Sequence, residues 1–361
     1  MTNLYPHLFT PVKLGALTLP NRIIMAPLTR ARTEVNHIPT DLMAEYYAQR
    51  ASGGLIIAEC SMVMPGTSAF WKEPGIYSPE QIEGWKKVTD AVHAKGGRIF
   101  LQIWHGGRAC HPALNDGKAA VAPSPIAIAD EVNTPQGKLP YTLPHALTLD
   151  EMPAIVDAFK QGAKNAKLAG FDGVEVHGAN GYLLDQFLRD GSNQRTDEYG
   201  GSIENRARLL LEVLQAVIDV WGNDRVGLRL SPVNSFNSMQ DADPIGLTEW
   251  LGTKLNDYNL AYLHLMRSDF FSLQKQDVLS ACQKVYNGNL ISNMGYSAQE
   301  AEDAIAQKNV TAVAFGVPYL ANPDLPERFK ASAPLNEADA TTFYTPGAKG
   351  YTDYPFMKTK D

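Results

Sequence analysis

Apolar residues in this chain gather in short continuous runs, and a stretch with helical spacing follows each run. The first run, residues 21–27, is halted by Pro27, and residues 41–50 then repeat apolar positions at helical spacing until Gly53-Gly54. Residues 55–59 form a second run. Pro79, after the capping residue Ser78, opens a helix that runs to Gly96-Gly97. Residues 98–104 make a third run, residues 148–169 resume helical spacing, and Val174 and Val176 mark a fourth run. The rhythm then repeats: helix 203–221 and strand 225–230, helix 244–259 and strand 261–265, helix 273–286 and strand 289–292, helix 297–308 and strand 311–316. A last helix follows Asn322-Pro323-Asp324, and residues 12–19, with Gly15 in the middle, predict a small N-terminal hairpin.

Continuous rather than alternating hydrophobicity means strands buried on both faces, as in parallel sheets. Eight strand–helix units over 361 residues predict an α/β fold, a closed (β/α)8 TIM barrel forming a single domain over residues 1–361. A doubly wound open sheet is the rival, but no G-x-G-x-x-G follows the first strand. Residues 106–148 break the rhythm after the third strand. They are rich in Pro, Gly, Ala and Asn without a sustained period, which predicts a structureless, lid-like insertion.

Composition narrows the class. At 44% hydrophobic residues the chain can bury a large core without disulfides. A net charge of −7 argues against nucleic acid or an anionic membrane as partner. Cys60, Cys110 and Cys282 are odd in number and far apart, so neither a disulfide framework nor a metal cluster is expected. No apolar run approaches about 18 residues, and the N-terminus shows no basic region followed by an apolar run. A soluble cytoplasmic protein is expected.

In such a barrel, chemistry gathers at the C-terminal ends of the strands. These ends are Ala26-Pro27-Leu28-Thr29, Glu59-Cys60, Gln102 and Trp104, then His177, Asn180 and Tyr182 around Gly178 and Gly181. Arg229, Asn293-Met294-Gly295 and Gly316-Val317 follow on later strands. His177 and Asn180 can each donate a hydrogen bond, and Tyr182 a proton. Two neutral donors beside a phenol suit polarising a carbonyl and protonating a nearby carbon, although a solvated polar turn would carry the same residues. The set holds few carboxylates, no clustered metal ligands, no Ser–His–Asp arrangement and no strand-end lysine. A pocket so poor in acids and bases suggests that a cofactor does the chemistry. Gln102 offers a donor and an acceptor to an imide edge, and Arg229 a positive charge to an electron-rich ring. The glycine-containing ends of strands seven and eight offer backbone N–H groups to a phosphate. This combination suggests flavin mononucleotide (FMN). Gln102 and Arg229 would serve equally well in barrel-core hydrogen bonding and ion pairing.

Longer motifs carry a resemblance over essentially the whole chain. They include Asn21-Arg22-Ile23-Ile24-Met25-Ala26-Pro27-Leu28-Thr29-Arg30, Gln102-Ile103-Trp104-His105-Gly106-Gly107-Arg108, and residues 177–185, 195–206, 321–325 and 350–355. In these the chain resembles the Old Yellow Enzyme family of FMN-dependent ene-reductases, and its bacterial N-ethylmaleimide and pentaerythritol tetranitrate reductase branch in particular. The resemblance implies non-covalent FMN at the barrel mouth and NADPH or NADH as hydride donor. It implies reduction of the C=C bond of alkenes activated by a carbonyl, imide or nitro group, in a monomer or homodimer. By motif match, Pro27, Leu28 and Thr29 would lie along the flavin, with Cys60 close by. Gln102 would bond its pyrimidine edge, Arg229 would sit by N1 and O2, and Met294, Gly295, Gly316 and Val317 would surround the phosphate. His177 and Asn180 would hold the substrate's oxygen and Tyr182 would donate the proton. Trp104, Phe70 and Tyr351 would line the substrate pocket. The 195–206 motif, with its Gly200-Gly201 turn, Ser202 cap and paired charges, reads as structural.

Three positions depart from the family's pattern. Val317 stands where relatives often carry Arg or Lys at the FMN phosphate, Met294 where a glycine is usual, and Cys60 where Ala or Gly is usual. Weaker FMN binding is the expectation. Two other readings use the same residues. One is a flavin-independent TIM-barrel lyase that holds a substrate phosphate at the glycines of strands seven and eight. The other is a flavin-binding protein without turnover.

Overall fold

The computed structural model describes residues 4–358. The first three residues, read above for a leader, and the last three of the expected 1–361 domain lie outside the described residues. A hairpin of β1 (Val12–Leu14) and β2 (Leu17–Leu19) comes first. Its buried residues Leu14 and Leu19 pack with Ile24, Leu55, Phe100 and Tyr262, closing one end of the barrel.

The barrel strands are β3 (Ile23–Met25), β4 (Leu55–Met62) and β5 (Ile99–Trp104) before the insertion. The insertion is ordered: β6 (Val121–Ala122) pairs with β9 (His145–Ala146), and β7 (Glu131–Thr134) forms a hairpin with β8 (Gly137–Pro140). This corrects the structureless reading. Short strands of mixed composition leave no period long enough to read, yet backbone pairing satisfies their N–H and C=O groups. The barrel then continues with β10 (Gly173–Gly178), β11 (Val226–Leu230), β12 (Tyr262–Met266), β13 (Leu290–Asn293) and β14 (Ala312–Phe315). All neighbours are parallel, and β14 pairs with β3 to close the ring.

The helices begin where caps allow. Thr40 caps α1 (Asp41–Gln49), and Ser78 with Gln81 forms a capping box on α2 (Pro79–Ala94). The others are α3 (Met152–Leu168), α4 (Leu183–Leu188), α5 (Ile203–Trp221) and α6 (Pro244–Leu255), then α7 (Val278–Val285), α8 (Ala298–Ala306), α9 (Val317–Ala321) and α10 (Leu325–Ala331). α7 starts later than residue 273 because the Asp269 carboxylate captures the N–H groups of Leu273 and Gln274 at 2.8 and 3.2 Å. Asp277 then supplies the cap at Ser280. The 195–206 motif is structural, as read. Arg195 pairs with Asp197 and donates to the carbonyls of Pro123 and Leu147, tying the insertion to the barrel, while Ser202 caps α5. No described helix is long and apolar enough to cross a membrane.

Candidate active site

β10 ends at Gly178, and the chain turns sharply before α4. Asn180 and Gly181 take left-handed backbone angles, φ 58° and 74°. Asn tolerates this region better than other non-glycine residues. At Gly181 a Cβ would lie 2.6 Å from the Asn237 Cβ and 2.9 Å from the Phe236 carbonyl oxygen, so glycine is required. Asp185 clamps the turn by accepting from the Gly181 N–H at 2.8 Å. His177, Asn180 and Tyr182 therefore face one cavity of about 540 Å³ at the C-terminal ends of the strands.

The same cavity is bordered by Pro27, Leu28 and Thr29 after β3, by Phe70, and by Gln102 of β5. Arg229 of β11 borders it, as do Met294 and Gly295 after β13 and Gly316 and Val317 after β14. Cys60 reaches it through an irregularity: the β4–β5 register shifts between Ala58 and Ser61. Bulges re-aim side chains. Here Cys60 faces the cavity, its sulfur 3.3 Å from the Thr29 hydroxyl. Glu59 lies elsewhere, accepting from the Arg30 N–H and the Tyr47 hydroxyl at 3.1 and 3.2 Å.

Two expected pocket residues stand elsewhere. Trp104 is fully buried behind the wall, its ring perpendicular to Tyr182 at 4.4 Å and 6.1 Å from His177. It orients those rings without bordering the cavity. Tyr351 stacks on Tyr46 at 4.0 Å, with the Arg30 and Arg32 guanidinium groups 5.1 and 4.7 Å from its ring. Those arginines donate to carbonyls at Thr342, Phe343 and Gly350, which draws the C-terminal segment inward at Tyr351. Tyr344 of that segment borders the cavity instead, stacked on Phe70 at 5.8 Å. The stretch expected as a lid, 106–148, contributes no bordering residue. Its Ile128 packs in the cluster of Trp104 and Tyr182, with Tyr141 against it, so the insertion buttresses the wall that carries Tyr182.

The electrostatics keep the donors neutral. Burial, reinforced by Arg229, holds His177 well below the usual imidazole range. Burial also lifts the Tyr182 phenol well above its ordinary value, so it keeps its proton. A residue that sequence reasoning missed directs Asn180. Asn234 accepts backbone N–H groups of Phe236 and Phe270 on its Oδ1, so its Nδ2 donates to the Asn180 Oδ1 at 2.9 Å. The Asn180 amide N–H groups are thereby left for the cavity. Asn234 lies four residues beyond the end of β11, where polar residues serve the barrel mouth, and this was the available signal. Phe236, Phe270 and Tyr296, which also border the cavity, carried no comparable mark.

The site's chemistry fits a flat, anionic, heteroatom-rich group. The buried atoms Arg229 Nε, His177 Nδ1 and Asn293 Oδ1 have no hydrogen-bond partner among the described residues. Leaving such atoms unpaired costs about 1–3 kcal/mol each. Among the bordering residues Arg229 is the cation and none is a carboxylate. At Gly295 an added Cβ would meet nothing within 4 Å, so the backbone there is open to an approaching ligand. Met294 adopts φ 94°, a region strained for a side chain, which accounts for glycine being usual there. No described group of His, Cys, Asp and Glu could hold a metal ion. A larger crevice of about 690 Å³ lies between His7, Arg22 and Lys308. Its Arg22 is already committed to Thr10 and the Thr311 carbonyl, so volume alone does not select a site.

A family model described as the NADH:flavin oxidoreductase / NADH oxidase family matches residues 7–336. A probable flavin mononucleotide-dependent alkene reductase of Leishmania infantum is 50% identical over 353 residues, covering 96% of each chain. The old yellow enzyme of Trypanosoma cruzi superposes with a TM-score of 0.96 at 46% identity, covering 98% of this chain and 100% of that one. Morphinone reductase, solved in complex with tetrahydroNAD, superposes at 0.93 with 46% identity and 98% coverage of both.

Proposed function

The chain belongs to the NADH:flavin oxidoreductase / NADH oxidase family, and from that membership we propose how its own residues carry the reaction. It is an FMN-dependent alkene reductase that draws its hydride from a nicotinamide nucleotide. The relatives leave no support for the lyase reading. FMN, when bound, would supply the hydride-transfer chemistry between nicotinamide and alkene.

The protein holds, orients and protonates. Gln102 would meet the cofactor's pyrimidine edge and Arg229 would balance its charge, while Pro27, Leu28, Thr29 and Cys60 would flank it. Backbone N–H groups around Met294, Gly295, Gly316 and Val317 would hold the phosphate. His177 and Asn180 donate to the substrate's carbonyl oxygen, so charge developing there is stabilised. Tyr182 delivers its phenolic proton to the carbon next to that carbonyl. Phe70, Tyr344, Phe236 and Phe270 exclude water around the alkene. One observation carries this reading: two neutral donors and a phenol converge on a cavity bordered also by Gln102 and Arg229 and by no carboxylate.

Anaerobic stopped-flow absorbance tests it. NADPH or NADH should bleach the flavin band, and 2-cyclohexenone or N-ethylmaleimide should restore it. Because His177 is depressed and Tyr182 raised, neither changes protonation between pH 6 and 9. The alkene step should therefore vary less than about threefold across that window. A sigmoidal loss centred inside it would show that one of these groups titrates there, against the assignment.

Val317, 45% exposed, brings no charge to the phosphate end. Val317→Arg should tighten FMN binding about tenfold, or ~1.4 kcal/mol, in a fluorescence titration of the apoprotein. Unchanged affinity would place the phosphate away from this residue.

A further inference from the structure

Beneath the cavity, the barrel interior carries a buried polar layer that the assigned roles leave unexplained. At its centre is Glu175, between Val174 and Val176 of β10 and 0% exposed. Strand register sets its neighbours: Glu175 pairs with Gln102 on β5, and His264 on β12 pairs with Arg229 on β11. Each oxygen of Glu175 is used. Oε1 accepts from Gln102 Nε2 at 2.7 Å, and Oε2 lies 2.9 Å from His264 Nδ1. Both bonds are fully buried.

A carboxylate only accepts hydrogen bonds. The nitrogen of the Gln102 carboxamide must therefore face Glu175, which turns its oxygen to the cavity. For the same reason a neutral His264 must carry its proton on Nδ1. Burial holds His264 below the usual imidazole range, so it adds no charge that would cancel the carboxylate. Arg229, the cation at the cavity wall, has Glu175 as the largest charge opposing its burial.

We propose that Glu175 is a positioning residue for the cofactor site: it fixes which face of Gln102 and which tautomer of His264 are presented, and its negative charge offsets Arg229. Glu175 thereby tunes the reduction potential of the bound flavin without touching substrate. This inference rests on the flavin's pyrimidine edge lying over Gln102 and Arg229.

Removing the charge while keeping the shape separates tuning from packing. In Glu175→Gln holoenzyme, Arg229 is less compensated, and the more negative reduced cofactor is favoured. The midpoint potential should rise by about 30 mV or more, a tenfold change in the reduction equilibrium for a two-electron couple. Glu175→Asp, which keeps the charge and loses a methylene, should stay within about threefold of wild type in that equilibrium. A packing role predicts the reverse order, with the isosteric Gln closer to wild type than Asp. A wild-type potential in Glu175→Gln, or an Asp variant shifted as far as Gln, overturns the proposal. Should Glu175→Gln fail to fold, the wild-type holoenzyme decides. Its 15N-histidine spectrum, assigned with His264→Gln, should show His264 neutral with the proton on Nδ1. An Nε2–H tautomer or a cationic ring overturns the proposal. Gln102→Ala tests the underlying placement. If it leaves FMN affinity and potential as in wild type, the cofactor does not lie over this layer and the inference falls with that reading. If it shifts them while Glu175→Gln does not, the positioning role alone is refuted.

Discussion

Tyr182→Phe slows reoxidation of the enzyme by an activated alkene by about 100-fold or more, the usual contribution of a placed general acid. Reduction by the nicotinamide changes by less than about threefold, since that step needs no protein proton. The substitution is clean. Phe keeps the ring that packs at right angles to Trp104 and beside His177. It removes one hydroxyl from a residue that is 6% exposed. The remaining O–H and S–H groups on the wall are held protonated by burial as Tyr182 is, so its place beside His177, not its acidity, singles Tyr182 out. Burial pushes the Cys60 thiol far above its ordinary value and raises the Tyr344 phenol. Single-mixing stopped-flow, with each half-reaction measured separately, checks the result. Equal rates in Tyr182→Phe and wild type for the alkene step would remove Tyr182 from the role of acid.

That Tyr182, His177 and Asn180 belong together was legible because their spacing around two glycines lies at a strand end. The barrel was legible for a related reason: buried parallel strands leave unbroken apolar runs, and caps such as Ser78 and Ser202 mark helix starts within the chain itself. Tyr351 shows where this stops. The C-terminal segment offers Phe343, Tyr344 and Tyr351 as aromatic candidates within nine residues. Which one faces the cavity depends on Arg30 and Arg32, some 300 residues earlier, taking the carbonyls around them. Trp104 fails differently. It shares a strand with Gln102 and the same parity, but lies at the strand's end, where Ala69, Ala109 and Ile128 cover it. Glu175 was not read as a site residue, because only the register across β5, β10 and β12 gives it partners. Cys60 faces the cavity through a register shift that no periodicity announces.

His177→Ala and Asn180→Ala each lower the rate of the alkene half-reaction by about 10²–10³-fold, or 2.7–4 kcal/mol, the cost of losing one donor to a developing oxyanion. The physical basis is preorganisation. His177 is held neutral by burial and by Arg229, and its ring is fixed against Trp104, so no proton must be gained or lost before it donates. Asn180 is held by a relay: backbone N–H groups orient Asn234, Asn234 orients the Asn180 carboxamide, and Ser231 and Asn237 bond its backbone N–H and carbonyl at 2.7 and 2.9 Å. On the proposed reading both donors serve one substrate oxygen, so their effects should be coupled. The double variant should lose less than the product of the two single losses, because one donor's removal already lets the oxygen shift from its best position. Full additivity would instead place the donors on two separate substrate atoms, as the two oxygens of a nitro group would allow. Comparing 2-cyclohexenone with a nitroalkene in the same three variants distinguishes the cases: coupling with the enone and additivity with the nitroalkene would mean that a single pair of donors accommodates both acceptor types through the number of oxygens presented to it.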